Sequence, residues 1–374
     1  MMGNYAGTAI MLNMVDQQLR PDQTPLLEPP SSRNVLKAIV MREFGPPEVM
    51  RLEEINTPVP GPGEVLIRVH AVSVNRTLDL AVRAGTYPAR VELPHILGVD
   101  PSGVVTAIGA GVTARKVGDR VATRQLLRLP TESAGPLILG VHAWGGYAEY
   151  VKVPVDMTHP IPEGLDFVTA TVVARHGPTA LSMLRDVAKV KPDDWVLVMG
   201  ASGGLGSAGI QIARGLGAKV IAAAGADERV RAAVDLGADV GVNYRTQDLT
   251  EEVRRITGGR GVDVVFENIA DPELFPKAFA ALARNGRLIT AGAHGGGTVP
   301  LDVQRLYLNG ITVIGSVGRI TADDLALCMR AAAEGRHRVL IDRVLPLAEA
   351  ALAHRIVAER SGTGKVVLQP VADQ

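Results

Sequence analysis

Gly200, Gly203 and Gly206 close the apolar run Trp195 to Met199, and Ile210, Ile212, Ala213 and Leu216 then recur at helical spacing until Gly217. Strand, glycine turn and helix in that order are what a pyrophosphate needs. Gly200 turns the chain off the strand, Gly203 lets backbone N–H groups approach phosphate oxygens, and Gly206 lets the helix pack on the sheet. The loop itself reads Ser202, Gly203, Gly204, Leu205, Gly206, so these residues form the candidate site at the positive end of the helix. The next strand, KVIAAAG, ends at Ala224 or Gly225, where a site preferring NAD carries a carboxylate for the ribose hydroxyls. Nothing there repels a 2′-phosphate. Asp227 and Glu228 come just after it and suit the first turn of a following helix.

The elements that must hold this loop follow from the pattern on either side. Strands WVLVMG, KVIAAA, ADVGVNY, VDVVFEN, GRLITAG and ITVIGS alternate with amphipathic stretches such as ERVRAAVDLG, which predicts a doubly wound parallel sheet with its crevice at the carboxyl ends of the strands. Upstream, from Leu36 to Pro154, short strands punctuated by Gly and Pro predict a compact, barrel-like β domain. The tail, ending in TGKVVLQP, is expected to return to that domain. The expected division is 35–160 with 318–374 for the β domain, 161–317 for the cofactor domain, and 1–34 as a flexible arm or the product of a misassigned start.

The chain has 374 residues, more than one core usually serves, which favours two domains. Lys+Arg and Asp+Glu are equal at 39 each, which leaves no electrostatic reason to propose nucleic acid or an anionic membrane as partner. Cys328 is the only cysteine, so intrachain disulfides and thiolate-rich zinc sites are excluded. A reducing, cytoplasmic setting is expected.

PGPGEVLIRV, DLAVRAGTYP, LPHILGVDPSGVV, VGDRV, GGYAEYV, GASGGLGSAGIQIA, GVDVVFEN, NGRLITAG and GKVVL occur in that order. Together they resemble the medium-chain dehydrogenase/reductase superfamily, and within it the zinc-independent quinone oxidoreductase and enoyl reductase branch. The resemblance covers about Leu36 to Pro370. It implies a GroES-like barrel domain built from both chain ends, a Rossmann domain between them, and an active-site cleft where the two meet. It places a basic residue for a 2′-phosphate at Arg229 and a phosphate-contacting tyrosine at Tyr244, which with the missing acid favours NADP(H). It sets Thr179, Asn268, Ala291 to Ala293 with Gly292, and Ile314 to Ser316 with Gly315 around the nicotinamide and its ribose. A symmetric homodimer joined along the last strand of the sheet is also implied.

Zinc enzymes of the superfamily take metal ligands at places that here fall at Asn75 or Arg76, at Val99 of the sequence Gly98, Val99, Asp100, and at Arg175, four residues before Thr179. A guanidinium there opposes a cation. The expectation is no metal, and hence an acceptor that takes hydride without Lewis-acid help: a quinone or an α,β-unsaturated carbonyl. Negative charge then develops on oxygen and an enone also needs a proton at its α-carbon. Tyr87, in RAGTYP, resembles the tyrosine of the loop that carries the proton donor in enoyl reductases, or else walls the pocket. Asn75 is expected to orient substrate or ribose, and Arg175 or His176 to face the cleft and hold the developing oxyanion. The branch spaces its Asn three residues before an Asp, whereas Asn75 and Asp79 are four apart. An alcohol dehydrogenase with an atypical metal site and an NADPH-binding protein with little turnover are the competing readings.

Overall fold

Glu64–Ser73 is the strand on which the first sheet is built, because its residues are buried along almost the whole length. In the computed structural model, which describes residues 35–128, 135–317, 320–360 and 362–370, it pairs antiparallel with Ser102–Ile108, Tyr150–Pro154 and Lys365–Gln369. The segment 1–34, read as an arm, and the limit at 318 lie outside the described residues. Arg120–Thr123 and Thr158–Pro160 extend this sheet on one side and Ile341–Pro346 on the other. Val65, Ile67, Val69, Val105, Val151 and Leu368 meet in one core, so strands from both ends of the chain close the GroES-like unit.

The second sheet is parallel, with the spatial order Val240–Asn243, Lys219–Ala224, Trp195–Met199, Val262–Glu267, Leu282–Thr290, Thr312–Gly315. Two of its inner strands, Lys219–Ala224 and Trp195–Met199, are almost wholly apolar because helices cover both faces; Val220 to Ala224 are all buried. Chain order reverses beside Trp195–Met199, whose other neighbour is Val262–Glu267. That is the switch point at which a doubly wound sheet opens a crevice. The helix Phe167–Leu181 packs against the barrel strand Glu64–Ser73 and against the glycine-loop helix Gly204–Gly215, so it spans the seam between the two units.

Behind the barrel core a polar trio is buried. The His354 Nε2 lies 3.1 Å from the Tyr147 hydroxyl and its Nδ1 3.4 Å from Arg83 Nη1. A guanidinium only donates, so Nδ1 accepts and the neutral ring carries its proton on Nε2. Burial, and then the Arg83 charge, push the His354 pKa down to about 3. The unfolded chain therefore binds a proton that the folded one does not between about pH 6.5 and that value. The resulting stabilisation is complete above the unfolded pKa and is lost as pH falls. We expect His354→Gln to flatten the fall of Tm between pH 6.5 and 4 in scanning fluorimetry; a curve parallel to the parent's would show that the ring does not carry this dependence.

Candidate active site

The glycine loop is shaped by its neighbours. Gly200 has φ +61°, and a Cβ there would lie 2.9 Å from Asn268 Oδ1, on the residue that follows the strand across the switch point. Asn268 is fixed in turn by donating from Nδ2 to the Met199 carbonyl at 2.9 Å. At Gly206 a Cβ would run into the Gly200 carbonyl, and at Gly204 into the ring of His176. The loop is thus pressed on one side by the helix Phe167–Leu181, and it is braced by the Gly203 N–H donating to the Gly200 carbonyl at 3.0 Å and the Ala201 N–H to the Ala223 carbonyl at 3.1 Å.

Asn75, Arg175, His176, Thr179, Gly200, Ser202, Gly203, Gly204, Leu205, Ala224, Arg229, Tyr244 and Asn268 line one cleft of about 290 Å³. Gly206, Gly292, Ala293, Gly315, Ser316 and Tyr87 are not part of its lining. Gly206 packs under the loop, Gly292 lies against the Asn268 backbone, and the Ser316 N–H donates to the Thr290 carbonyl at 2.9 Å beyond the edge strand. Tyr87 is half-buried and packs against the barrel core. Burial raises its pKa, and the Arg175 charge works in the opposite direction, which couples the phenol to the cleft.

One end of the cleft is basic. Arg229, Arg245 and Arg360 line it together with Tyr244, whose hydroxyl would lie 3.0 Å from a Cβ added at Gly225. Arg229 donates to the Arg360 carbonyl, and Arg360 Nη2 donates to the His294 carbonyl at 3.2 Å. Asp227, the nearest acid to the strand end, is engaged by Asn243 Nδ2 at 2.6 Å. Asp342 also lines the cleft and accepts from the Thr363 N–H at 3.0 Å. Arg360 and Arg245 were not expected from the sequence. Scattered arginines carry no spacing signal, and only the return of the closing segment brings Arg360 to the cofactor domain.

The floor of the cleft holds a network that sequence reasoning also missed. Lys365 is buried and donates to the Val74 carbonyl at 2.7 Å and to Asn75 Oδ1 at 2.9 Å. Asn75 Nδ2 donates to Asp100 Oδ2 at 3.1 Å, to the Ser73 carbonyl at 3.1 Å and toward the Ser73 hydroxyl oxygen at 3.2 Å. Asp100 accepts besides from the Ser73 N–H at 2.9 Å and its hydroxyl at 2.6 Å. Burial draws the Lys365 pKa down to about 8, opposed by Asp100, and lifts that of Asp79 to about 7, an effect that the Asp100 charge reinforces. Lysine at the start of an apolar strand reads in sequence as a solvated flank. Here strand pairing turns it inward.

The spacing of Asn75 and Asp79 has a structural explanation. Arg76–Leu80 forms a single π-helical turn, which holds one more residue per turn than an α-helix. The Asn75 N–H still donates to Asp79 Oδ2 at 2.7 Å, and Asp79 Oδ1 accepts from the Gly98 N–H at 3.0 Å. The extra residue is absorbed, and Asn75 keeps its place in the cleft.

Arg175 and His176 sit on the interior of the helix Phe167–Leu181, with the Thr179 hydroxyl donating back to the Arg175 carbonyl at 3.4 Å. Burial lowers the pKa of both side chains, so His176 is neutral at physiological pH. His294 is held neutral too, at about 4, by burial and by Arg76 and Arg360. His176 Nε2 and Arg175 Nε have no hydrogen-bond partner.

The donor set does not fit zinc. The places at which the resemblance sets metal ligands hold Asn75 or Arg76, Val99 and Arg175, an amide or guanidinium, a hydrocarbon and a cation, and no group of three or more His, Cys, Asp or Glu able to hold a metal occurs among the described residues. Cys328 is buried and its thiol is pushed up to about 12, chiefly by burial, so it offers no thiolate either. A nicotinamide dinucleotide does fit: the glycine loop, the basic end and His176, whose Nε2 has no partner, line one continuous cleft. None of the described helices is long and apolar enough to cross a membrane.

Residues 61–163 match the alcohol dehydrogenase GroES-like domain and residues 204–332 the zinc-binding dehydrogenase domain. The chain is 34% identical over 345 residues to a quinone oxidoreductase of Sus scrofa, covering 90% of this chain and 99% of the relative. It is also 34% identical over 351 residues to a 2-haloacrylate reductase of a Burkholderia species, covering 90% and 100%. Among solved structures, an NAD-dependent alcohol dehydrogenase superposes with a TM-score of 0.83 at 38% identity, over 90% of this chain and all of that one.

Proposed function

The chain is an oxidoreductase of the medium-chain dehydrogenase/reductase superfamily, in its quinone oxidoreductase branch, and from that premise we propose an NADPH-dependent, zinc-independent reductase of quinones or activated double bonds. The observation that carries the cofactor choice is the basic end of the cleft. Three guanidinium groups and the Tyr244 phenol stand where the second strand ends in Ala224 and Gly225, with Asp227 occupied by Asn243. A 2′-phosphate dianion matches that set, whereas a bare ribose leaves it without a counter-charge. NADPH should therefore bind at least about tenfold better than NADH, and Arg229→Ala or Arg360→Ala should narrow that ratio in fluorescence titrations. Equal affinities in the parent protein would remove the assignment.

The bound nicotinamide supplies a hydride. The chain's own residues do the rest: the glycine loop and the basic end anchor the dinucleotide, Asn75 and Thr179 orient what lies between them, and Arg175 meets charge that develops on the acceptor oxygen. Tyr87 is the proposed proton donor for an unsaturated carbonyl. Zinc independence rests on the chemistry of Asn75, Val99 and Arg175, and stoichiometric metal in purified protein would instead favour an alcohol dehydrogenase. The remaining site residues, Gly292, Ala293, Gly315 and Ser316, are proposed to border the nicotinamide through the backbone.

A homodimer is proposed on the sheet edge. Thr312–Gly315 has a partner on one side only, and Val303, Tyr307, Leu308 and Val317 are exposed around it, the last at 93%. An apolar edge of this kind invites pairing, and a second copy across a two-fold axis would extend the sheet. Light scattering at micromolar protein should give twice the chain mass; a monomer would count against it. A cytoplasmic location is part of the same reading.

A further inference from the structure

We infer that Arg175 is a carboxylate-binding group and that the acceptor this cleft selects is an anion, an α,β-unsaturated carboxylate rather than a neutral quinone or enone. The inference rests on the reductase reading and narrows its substrate class. Its basis is a mismatch between charge and partners. Arg175 lines the cleft, yet its guanidinium makes no hydrogen bond to any described residue, and its Nε is buried without a partner.

The acids nearby are spent. Asp79 accepts from the Asn75 and Gly98 N–H groups, and Asp100 from the Ser73 N–H, the Ser73 hydroxyl and Asn75 Nδ2. They act on Arg175 through space and raise its pKa against burial, but neither forms an ion pair with it. Lys365, the other buried cation of the floor, already has two acceptors. Of these two floor cations, Arg175 is therefore the one whose donors await a ligand.

On the proposed cofactor placement the dinucleotide does not supply that ligand. Its proposed phosphate contacts lie at Arg229, Tyr244, Arg245 and Arg360, and the glycine loop faces His176, the next residue along the helix. Arg175 instead lines the cleft with Asn75 and Lys365 of its floor, and its charge also reaches Tyr87 of the barrel unit. A neutral carbonyl would offer the guanidinium one ground-state acceptor and no charge. A carboxylate offers two oxygens in the fork geometry of the guanidinium together with a full counter-charge, so it recovers far more of the solvation that burial removed.

The test compares crotonate with crotonamide, equal in shape and different in charge, by calorimetric titration into protein saturated with NADP⁺, or with NAD⁺ where that binds more tightly. Crotonate should bind at least about tenfold more tightly than crotonamide. Arg175→Met should abolish the difference, and Arg175→Lys should keep part of it, with the thermal transition and oxidised-cofactor affinity of each variant as controls on folding. Equal binding of acid and amide by the parent protein overturns the inference, whatever the variants do. So does a loss of cofactor affinity in Arg175→Met with the preference intact, which would assign the guanidinium to a phosphate. A carboxylate preference that depends on Arg175, in a protein that transfers hydride to no quinone, enone or enoate, would uphold Arg175 as a carboxylate-binding group and overturn both the reductase reading and the enoate as acceptor.

Discussion

Replacing Tyr87 with phenylalanine is expected to lower turnover of an unsaturated carbonyl by a factor of about 10² to 10⁴, the usual cost of losing a positioned proton donor. Turnover of a quinone should change little, because its charge resides on oxygen and solvent can protonate it. The ring is retained, so packing against the barrel core is kept, and NADPH affinity should not move. The two acceptors control for each other, since damage to the pocket harms both. If both rates fall together, or neither falls, Tyr87 is only part of the wall, and the donor must come from solvent or from another group of the cleft.

The second large effect is expected at Gly204. A methyl group there meets the His176 ring, and that ring is held in a buried helix, so the glycine loop must move. Overpacking of this kind costs about 1–3 kcal/mol. Expressed in the loop that carries the cofactor phosphates, it should weaken NADPH binding by roughly ten- to a hundredfold. Gly204→Ala combined with His176→Ala should recover most of the loss, because the second substitution vacates the space. A double variant as weak as Gly204→Ala would show that the glycine is required for the backbone's approach to phosphate and not for its fit to His176.

Much of the architecture was legible because periodicity survives in a single sequence. The parallel strands show as apolar runs closed by glycine, and the six expected in the cofactor domain correspond to the six in the sheet. The glycine loop was legible for the same reason: each glycine answers a local steric demand. The cleft floor was not. Ser73, Asp79, Asp100 and Lys365 are isolated polar residues in apolar surroundings, and their meaning depends on strand register, which pattern does not encode. The π-turn at Arg76–Leu80 was legible only as an unexplained extra residue between Asn75 and Asp79. Arg175 stood out by its chemistry, a cation at a ligand position, but its lack of a partner is a statement about three dimensions.

The strand Lys365–Gln369 imposes an order on assembly. Lys365 bonds to the carbonyl of Val74 across 291 positions of sequence, and the whole cofactor sheet intervenes. During synthesis that sheet, complete at Gly315, can fold while the barrel still lacks two of its strands, Ile341–Pro346 and Lys365–Gln369, and the cleft lacks its lysine. A nascent chain can therefore hold a formed dinucleotide loop before it has a place to put an acceptor. Such an intermediate could take up cofactor but would not yet enclose a substrate pocket, and the joining of this strand to Glu64–Ser73 is the event that makes the two properties coincide.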